Sequence, residues 1–361
     1  MANIVDYIKW RGDLSFAASP LNEVDNYILA KIGCPDYSGI VPDGADSISL
    51  SEAVETLFAA GNEERLSLSP LSSPTIMPML RMLPDTVRFS GLRLSGYVSR
   101  LDFRQTEQFS ALTLILPDGT NYISFRGTDD TIIAWKENFY MAAMDTVPAQ
   151  KDAAEYLSWA AQAYPGPLIV GGHSKGGNLA VYAAASVPTE VQERIICVYN
   201  NDGPGFRDEF FASDGYAHIK ERICTIIPRH SIVGTLLTQV CAPEVVECES
   251  AGIAAHDGFT WEVLGSRFVR CAGLSRTSEA LDTAIDDTLA GMDLEQRREF
   301  IEDFFDVLTS TGAVYLGDFT EHRLRQALEI AGRLKGEKEI HRFVSGVLQE
   351  MIKEFIPSKH K

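Results

Sequence analysis

The run Gly171-Gly172-His173-Ser174-Lys175-Gly176-Gly177-Asn178-Leu179-Ala180 follows the apolar residues Leu168-Ile169-Val170 and opens a helical pattern. Strand, tight turn, small residues and helix in that order are the setting in which a G-x-S-x-G serine acts as a nucleophile. Ser174 is therefore expected on a sharp strand-to-helix turn, with Gly172 and Gly176 where a Cβ would crowd the neighbouring strand and helix. Such a turn lifts the hydroxyl to the top of a sheet and aims the amide N–H of Lys175 at a developing oxyanion. The plainer alternative is a Gly-rich turn that only packs a helix on a sheet.

A serine hydroxyl needs a base within hydrogen-bond reach and an acid to hold that base. Of seven histidines, His256 fits the order Ser, acid, His along the chain and lies in the polar turn Ala254-Ala255-His256-Asp257-Gly258. His230 is the reserve. His173, next to the serine, is expected to pack beneath the turn, and His218, His322, His341 and His360 read as surface residues. For the acid, Asp202 in Asn200-Asn201-Asp202-Gly203-Pro204-Gly205 stands at the C-terminal end of an apolar strand, where α/β sites assemble. Its alternative role is an Asx-turn. Asp257 is the other carboxylate to consider, though a sequence neighbour is badly placed to orient the His256 ring.

An oxyanion hole needs a second donor from the loop after an earlier strand. Ser124-Phe125-Arg126-Gly127-Thr128-Asp129-Asp130 ends such a strand. Thr128 offers an amide and a hydroxyl, and Arg126 with Asp129 reads as a pair that fixes the loop.

The elements that must position these residues follow from apolar spacing. From Gly91 the period is two, giving antiparallel strands through Leu92 to Val98, Phe109 to Leu116 and Tyr122 to Phe125, with the turn Pro117-Asp118-Gly119-Thr120 between the last two. A helix over about 148–163, the strand at Leu168, a helix over about 176–186, and strands at Ile195 to Tyr199 and Ile223 to Ile227 then alternate. The fold class expected is α/β, a mostly parallel sheet with helices on both faces. Residues 1–85 read as an N-terminal helical cap or packing region, 86–275 as the core, and 276–361 as a C-terminal helical region. Within the first region one helix is expected to start from Ser19-Pro20. Another starts from the capping box at Ser49 and Glu52 and stops at Gly61. Helices are expected over 275–293, 293–310 and 320–355, packed on the sheet or forming a homo-oligomer surface. The segment Ile232-Val233-Gly234-Thr235-Leu236-Leu237, with the loop onward to Ala255, reads equally as a lid or acyl pocket and as a core helix.

Bulk composition narrows the partners. The chain has 361 residues, 45% of them hydrophobic, enough for one large α/β domain with decorations. Lys and Arg number 32 against 50 Asp and Glu, a formal charge of −18. An acidic surface argues against nucleic acid or anionic membrane as a bulk partner. No stretch reads as a secretory signal or a membrane span, so a cytoplasmic protein without stable membrane insertion is expected. The six cysteines are scattered and suggest neither disulfides nor a metal site. No cofactor is expected.

Two resemblances enter on these motifs. Phe125-Arg126-Gly127-Thr128 with Gly172-His173-Ser174-Lys175-Gly176-Gly177 resembles the class-three lipase pattern, in which the first motif supplies the oxyanion threonine and the second the nucleophile. More of the chain resembles a largely uncharacterised bacterial, mostly Firmicutes, family of α/β-hydrolases. That likeness takes in Asp6-Tyr7 with Trp10, Asn22-Glu23-Val24-Asp25, Trp135-Lys136-Glu137, the Ser174 turn, Asp202-Gly203-Pro204-Gly205-Phe206, Ser231-Ile232-Val233-Gly234, and His256-Asp257 with Trp261. It implies a lipase or esterase and no more. The chain departs from the lipases in two ways: Lys175 replaces an apolar residue, a cation suited to a negatively charged substrate group, and no aspartate follows the Ile223 strand.

The expectation is a serine hydrolase acting on a small-molecule acyl ester. Ser174 would be the nucleophile, His256 the base and Asp202 the acid, with Thr128 and Lys175 at the oxyanion. The alternatives are a hydrolase-fold binding protein that has lost turnover, and acyl transfer or thioester cleavage by the same serine.

Overall fold

The period-two segment after Gly91 forms three antiparallel strands, β2 (Arg93–Asp102), β3 (Glu107–Ile115) and β4 (Asn121–Phe125). They follow a short edge strand β1 (Ile48–Ser49). The structure is a computed structural model and describes residues 1–59, 61, 73–129, 131–280, 282–283 and 292–315. From β4 the sheet turns parallel through β5 (Leu168–His173), β6 (Ile195–Asn201), β7 (Ile223–Pro228) and β8 (Glu244–Val246). Among the described residues this makes one eight-stranded sheet ordered β1 to β8 along the chain. The strand Leu168-Ile169-Val170 is buried on both faces, as a central parallel strand requires.

Two apolar layers cover the sheet. One holds Tyr122, Ile169 and Leu114 with the N-terminal helices α1 (Ile4–Arg11) and α2 (Glu23–Ile32). The other holds Ile123, Phe125 and Val170 with α6 (Pro148–Ala163) and α7 (Lys175–Ser186). Alternate residues of β4 and β5 thus point to opposite layers, the period of two that the sequence carries. A mostly parallel sheet between helical layers, with the Ser174 turn joining a central strand to a covering helix, is the α/β-hydrolase fold.

In the first layer, α3 (Leu50–Leu57) packs beside β1 and β2, and α4 (Ile76–Met82) packs on α2. The helix α5 (Ile132–Tyr140), capped by Thr131, was not apparent from apolar spacing. Its polar face carries Glu137 and Asn138 inward, so the period is obscured.

Several boundaries differ from expectation. Helix α2 is capped by Asn22, not Ser19: Asn22 Oδ1 accepts from the amides of Val24 and Asp25, and Asp25 Oδ2 accepts from the Asn22 amide. Helix α3 does begin at the Ser49–Glu52 box but ends at Phe58, before Gly61. The segment from Ile232 is not a core helix. Only Val233–Thr235 make a 3-10 turn, and the residues beyond are tied to the loop after β6 by Gly205 N to Leu236 O, at 2.8 Å, and by paired bonds between Phe206 and Thr238. A helix spans Leu294–Ser310, in line with the expected 293–310. Most of 281–291, and all of 320–355, lie outside the described residues. No helix among the described residues is long and apolar enough to cross a membrane.

Helix α2 is fixed by a buried ion pair. Asp25 meets Arg88, both side chains fully covered. Arg88 also donates to the carbonyls of Leu14, Ser19 and Pro20, and Asp25 accepts from the Tyr7 hydroxyl at 2.9 Å. Burial and the Asp25 charge push the Tyr7 phenol above its ordinary pKa.

Candidate active site

Strand β5 ends at His173 and α7 begins at Lys175, so Ser174 carries the whole change of direction. Its backbone has φ 60° and ψ −135°, a region that costs roughly 1–3 kcal/mol for a residue with a Cβ. The turn is held by Ser174 N donating to Asn201 O at 3.0 Å. The flanking glycines are obligatory. A Cβ on Gly172 would stand 2.3 Å from the Gly176 carbonyl carbon, and one on Gly176 would stand 2.1 Å from Phe125 O. Ser174 occupies the N-cap position of α7, yet its side chain makes no capping bond. The half-buried hydroxyl is therefore not claimed by its own helix. The amide of Lys175 lies in the first turn of α7, where N–H groups lack intrahelical partners.

Asp202 follows β6 and also has a positive φ, 50°. Its fully buried carboxylate is split between two sets of donors. Oδ1 accepts from Ser231 Oγ at 2.5 Å and Gly234 N at 3.1 Å, and Oδ2 lies 2.6 Å from His256 Nδ1. An ionised carboxylate only accepts, so Nδ1 of His256 carries a proton, and it is Nε2 that presents the lone pair whenever the ring is neutral. Asp257 instead caps its own turn, accepting from Phe259 N at 3.1 Å.

The loop after β4 lies against the Ser174 turn. A Cβ on Gly127 would be 2.7 Å from His173 O and 3.2 Å from Ser174 Cβ, so the residue before Thr128 lies against the serine. Thr128 Oγ1 accepts from Asn138 Nδ2 at 2.7 Å, so its own proton stays free to donate. Arg126 pairs loosely with Asp129 at 3.8 Å, and Asp129 Oδ1 accepts from the Thr131 amide and hydroxyl.

The side chain of Lys175 does not face a substrate. It is fully buried and turns away from the site, with Nζ 2.8 Å from Glu137 Oε2 and bonded to the Gln108 carbonyl. Glu137 also accepts from the amides of Gln108 and Ala149. The expectation of a cation for an anionic substrate group is corrected: an ammonium on that side of the turn finds a buried carboxylate and no solvent.

Asn178 of α7 donates to the carbonyls of Pro204 and Gly205 and accepts from Gln150, clamping the loop that follows Asp202. The N-terminal region supplies more than packing. Asn26 links Tyr122 to Asn201, and Lys31 Nζ lies 2.9 Å from His173 Nδ1. Sequence reasoning missed Asn26 and Lys31 because each lies far along the chain from the residue it serves, and Asn138 because helix α5 itself was not apparent.

Residues 83–306 match the Mbeg1-like family. The match spans more than half of the chain. The chain belongs to the Mbeg1-like family, a lipase-like family. Its matched span contains Thr128, Ser174, Asp202 and His256, and begins after Lys31. No curated protein matches the chain. Among solved structures it is similar to the M37 lipase, at 17% identity over 47% of this chain and 66% of that one, with a TM-score of 0.34. It is also similar to the Rhizomucor miehei lipase in its propeptide complex, at 17% identity over 57% of this chain and 68% of that one, with a TM-score of 0.31.

Proposed function

We propose that the chain is a serine carboxylic-ester hydrolase of small acyl esters. Ser174 Oγ attacks the acyl carbonyl as His256 Nε2 takes its proton, and Asp202 holds the imidazole in the tautomer that can do so. The tetrahedral oxyanion is met by the Lys175 amide and by the amide and hydroxyl of Thr128. The intermediate collapses, the leaving alcohol takes the proton from His256, and an acyl-Ser174 remains. Water, deprotonated by His256, hydrolyses it. The observation that carries this reading is the 2.6 Å contact between His256 Nδ1 and the buried Asp202. The carboxylate that meets His256 comes from the end of β6, so the proposed reaction does not need one after β7.

The test is covalent labelling. A fluorophosphonate probe is expected to modify the wild type and to leave Ser174→Ala unlabelled. A folded wild type that takes no label overturns the proposal.

A further inference from the structure

Lys31 is 6% exposed, and among the described residues its ammonium makes no ion pair. Burying an uncompensated charge is costly, and leucine or methionine would fill the same space without that cost. Its polar partner is His173 Nδ1 at 2.9 Å, and it lies 5.2 Å from the centre of the Tyr27 ring. An ammonium has donors and no acceptor, so His173 must offer the Nδ1 lone pair and carry its own proton on Nε2. Nε2 lies 2.7 Å from the backbone oxygen of His256. Burial first, then the charges of Lys31 and His256, keep His173 well below the ordinary imidazole pKa and hence neutral. Tyr27 packs edge-on to His173, and its hydroxyl accepts from Gly258 N at 2.8 Å.

We infer that Lys31 and His173 are positioning residues for His256. Lys31 locks His173 as the Nε2–H tautomer, and that N–H, with the Tyr27 hydroxyl two residues further on, anchors the loop presenting His256 to Asp202. Without the lysine the Nδ1 lone pair loses its donor, the His256 carbonyl is the one group still favouring Nε2–H, and the ring can then place its proton on Nδ1 in part of the population. It would then turn a lone pair toward the His256 carbonyl, and the anchor becomes a repulsion. The catalytic consequence rests on the hydrolase reading, whereas the tautomer does not.

The full chain labelled with 15N-histidine reports the tautomer directly in long-range proton–nitrogen spectra, with His173→Gln identifying the signal. The wild type is expected to show His173 as Nε2–H, and Lys31→Met to show a mixture. In Lys31→Met, kcat for p-nitrophenyl butyrate should fall about 10- to 100-fold, the scale of a misplaced catalytic group. KM should stay within about twofold. Lys31→Arg, which keeps a cationic donor, should recover both tautomer and turnover. An Nδ1–H wild type overturns the inference even if no variant folds. So does a folded Lys31→Met with unchanged tautomer or unchanged kcat. The expected tautomers in a wild type that takes no fluorophosphonate would support the lock and overturn the hydrolase reading alone.

Discussion

Asp202 and His256 are 54 residues apart in the chain and 2.6 Å apart in space. The segment after β7, which lacks the aspartate expected there, supplies Ser231 Oγ and Gly234 N to the far oxygen of Asp202. The position that lacks a carboxylate therefore holds the donors that stabilise one from the neighbouring strand.

Asp202→Asn should lower kcat for p-nitrophenyl butyrate by about 10⁴, the loss seen when a triad carboxylate becomes an amide. A carboxylate serves two sets of donors with two oxygens. An amide has one oxygen, so it can accept from Gly234 or from His256, not from both. Urea unfolding separates any loss of stability from the loss of turnover. Turnover within about tenfold of wild type would remove Asp202 from the proposed reaction.

At the oxyanion loop, Thr128→Val should cost about 10²- to 10³-fold in kcat through loss of one donor. Asn138 only orients that hydroxyl, so Asn138→Ala should cost about three- to tenfold, the worth of one hydrogen bond. The double variant should be no slower than Thr128→Val, because the two losses are one. Additive losses would mean that Asn138 acts independently of Thr128.

The Ser174 turn was legible because its requirements are local: a β-period run, two glycines that the strand and helix press against, and a helix of small residues. The strands from Leu92 to Ile227 were legible for a similar reason, since alternation and buried parallel runs are written in consecutive residues. Helix α5 was not. Its inward face carries Glu137 and Asn138, whose partners Lys175 and Thr128 lie on other elements. The Lys175 side chain was misread for the same reason, since a charge beside a serine looks like a ligand group until its buried partner is known. Lys31 likewise shows nothing until α2 is laid over β5.

Glu107 gives a pH signature. Burial first, then its hydrogen bond to and the charge of Asp152, then Glu137, push its carboxyl from an ordinary 4.5 up to about 7, against a smaller opposing effect of Arg100. The folded state thus holds a proton that the unfolded chain releases. The stability it brings is fully present below about 4.5 and is lost as pH rises through about 7. Buried, neutral His173 gives the opposite slope below its ordinary 6.5, so Glu107 is read in the difference: between pH 5 and pH 8 the wild-type urea midpoint should fall relative to that of Glu107→Gln. A wild-type midpoint that runs parallel to that of the variant across this window would mean that Glu107 ionises normally.

The Lys175–Glu137 pair predicts a stability effect and the absence of a specificity effect. Lys175→Met leaves a buried carboxylate without its cation and should cost about 3–5 kcal/mol of unfolding free energy. Glu137→Gln strands the ammonium instead and should cost a similar amount. With both changed, no charge is buried, and the remaining amide oxygen still accepts from Gln108 or Ala149. The double variant should therefore lose less than the sum by roughly 1–3 kcal/mol. Because Nζ faces away from the ester, the preference between p-nitrophenyl esters with and without a terminal carboxylate should stay within about twofold in folded Lys175→Met. A marked loss of preference for the charged ester would put the lysine back in the substrate site.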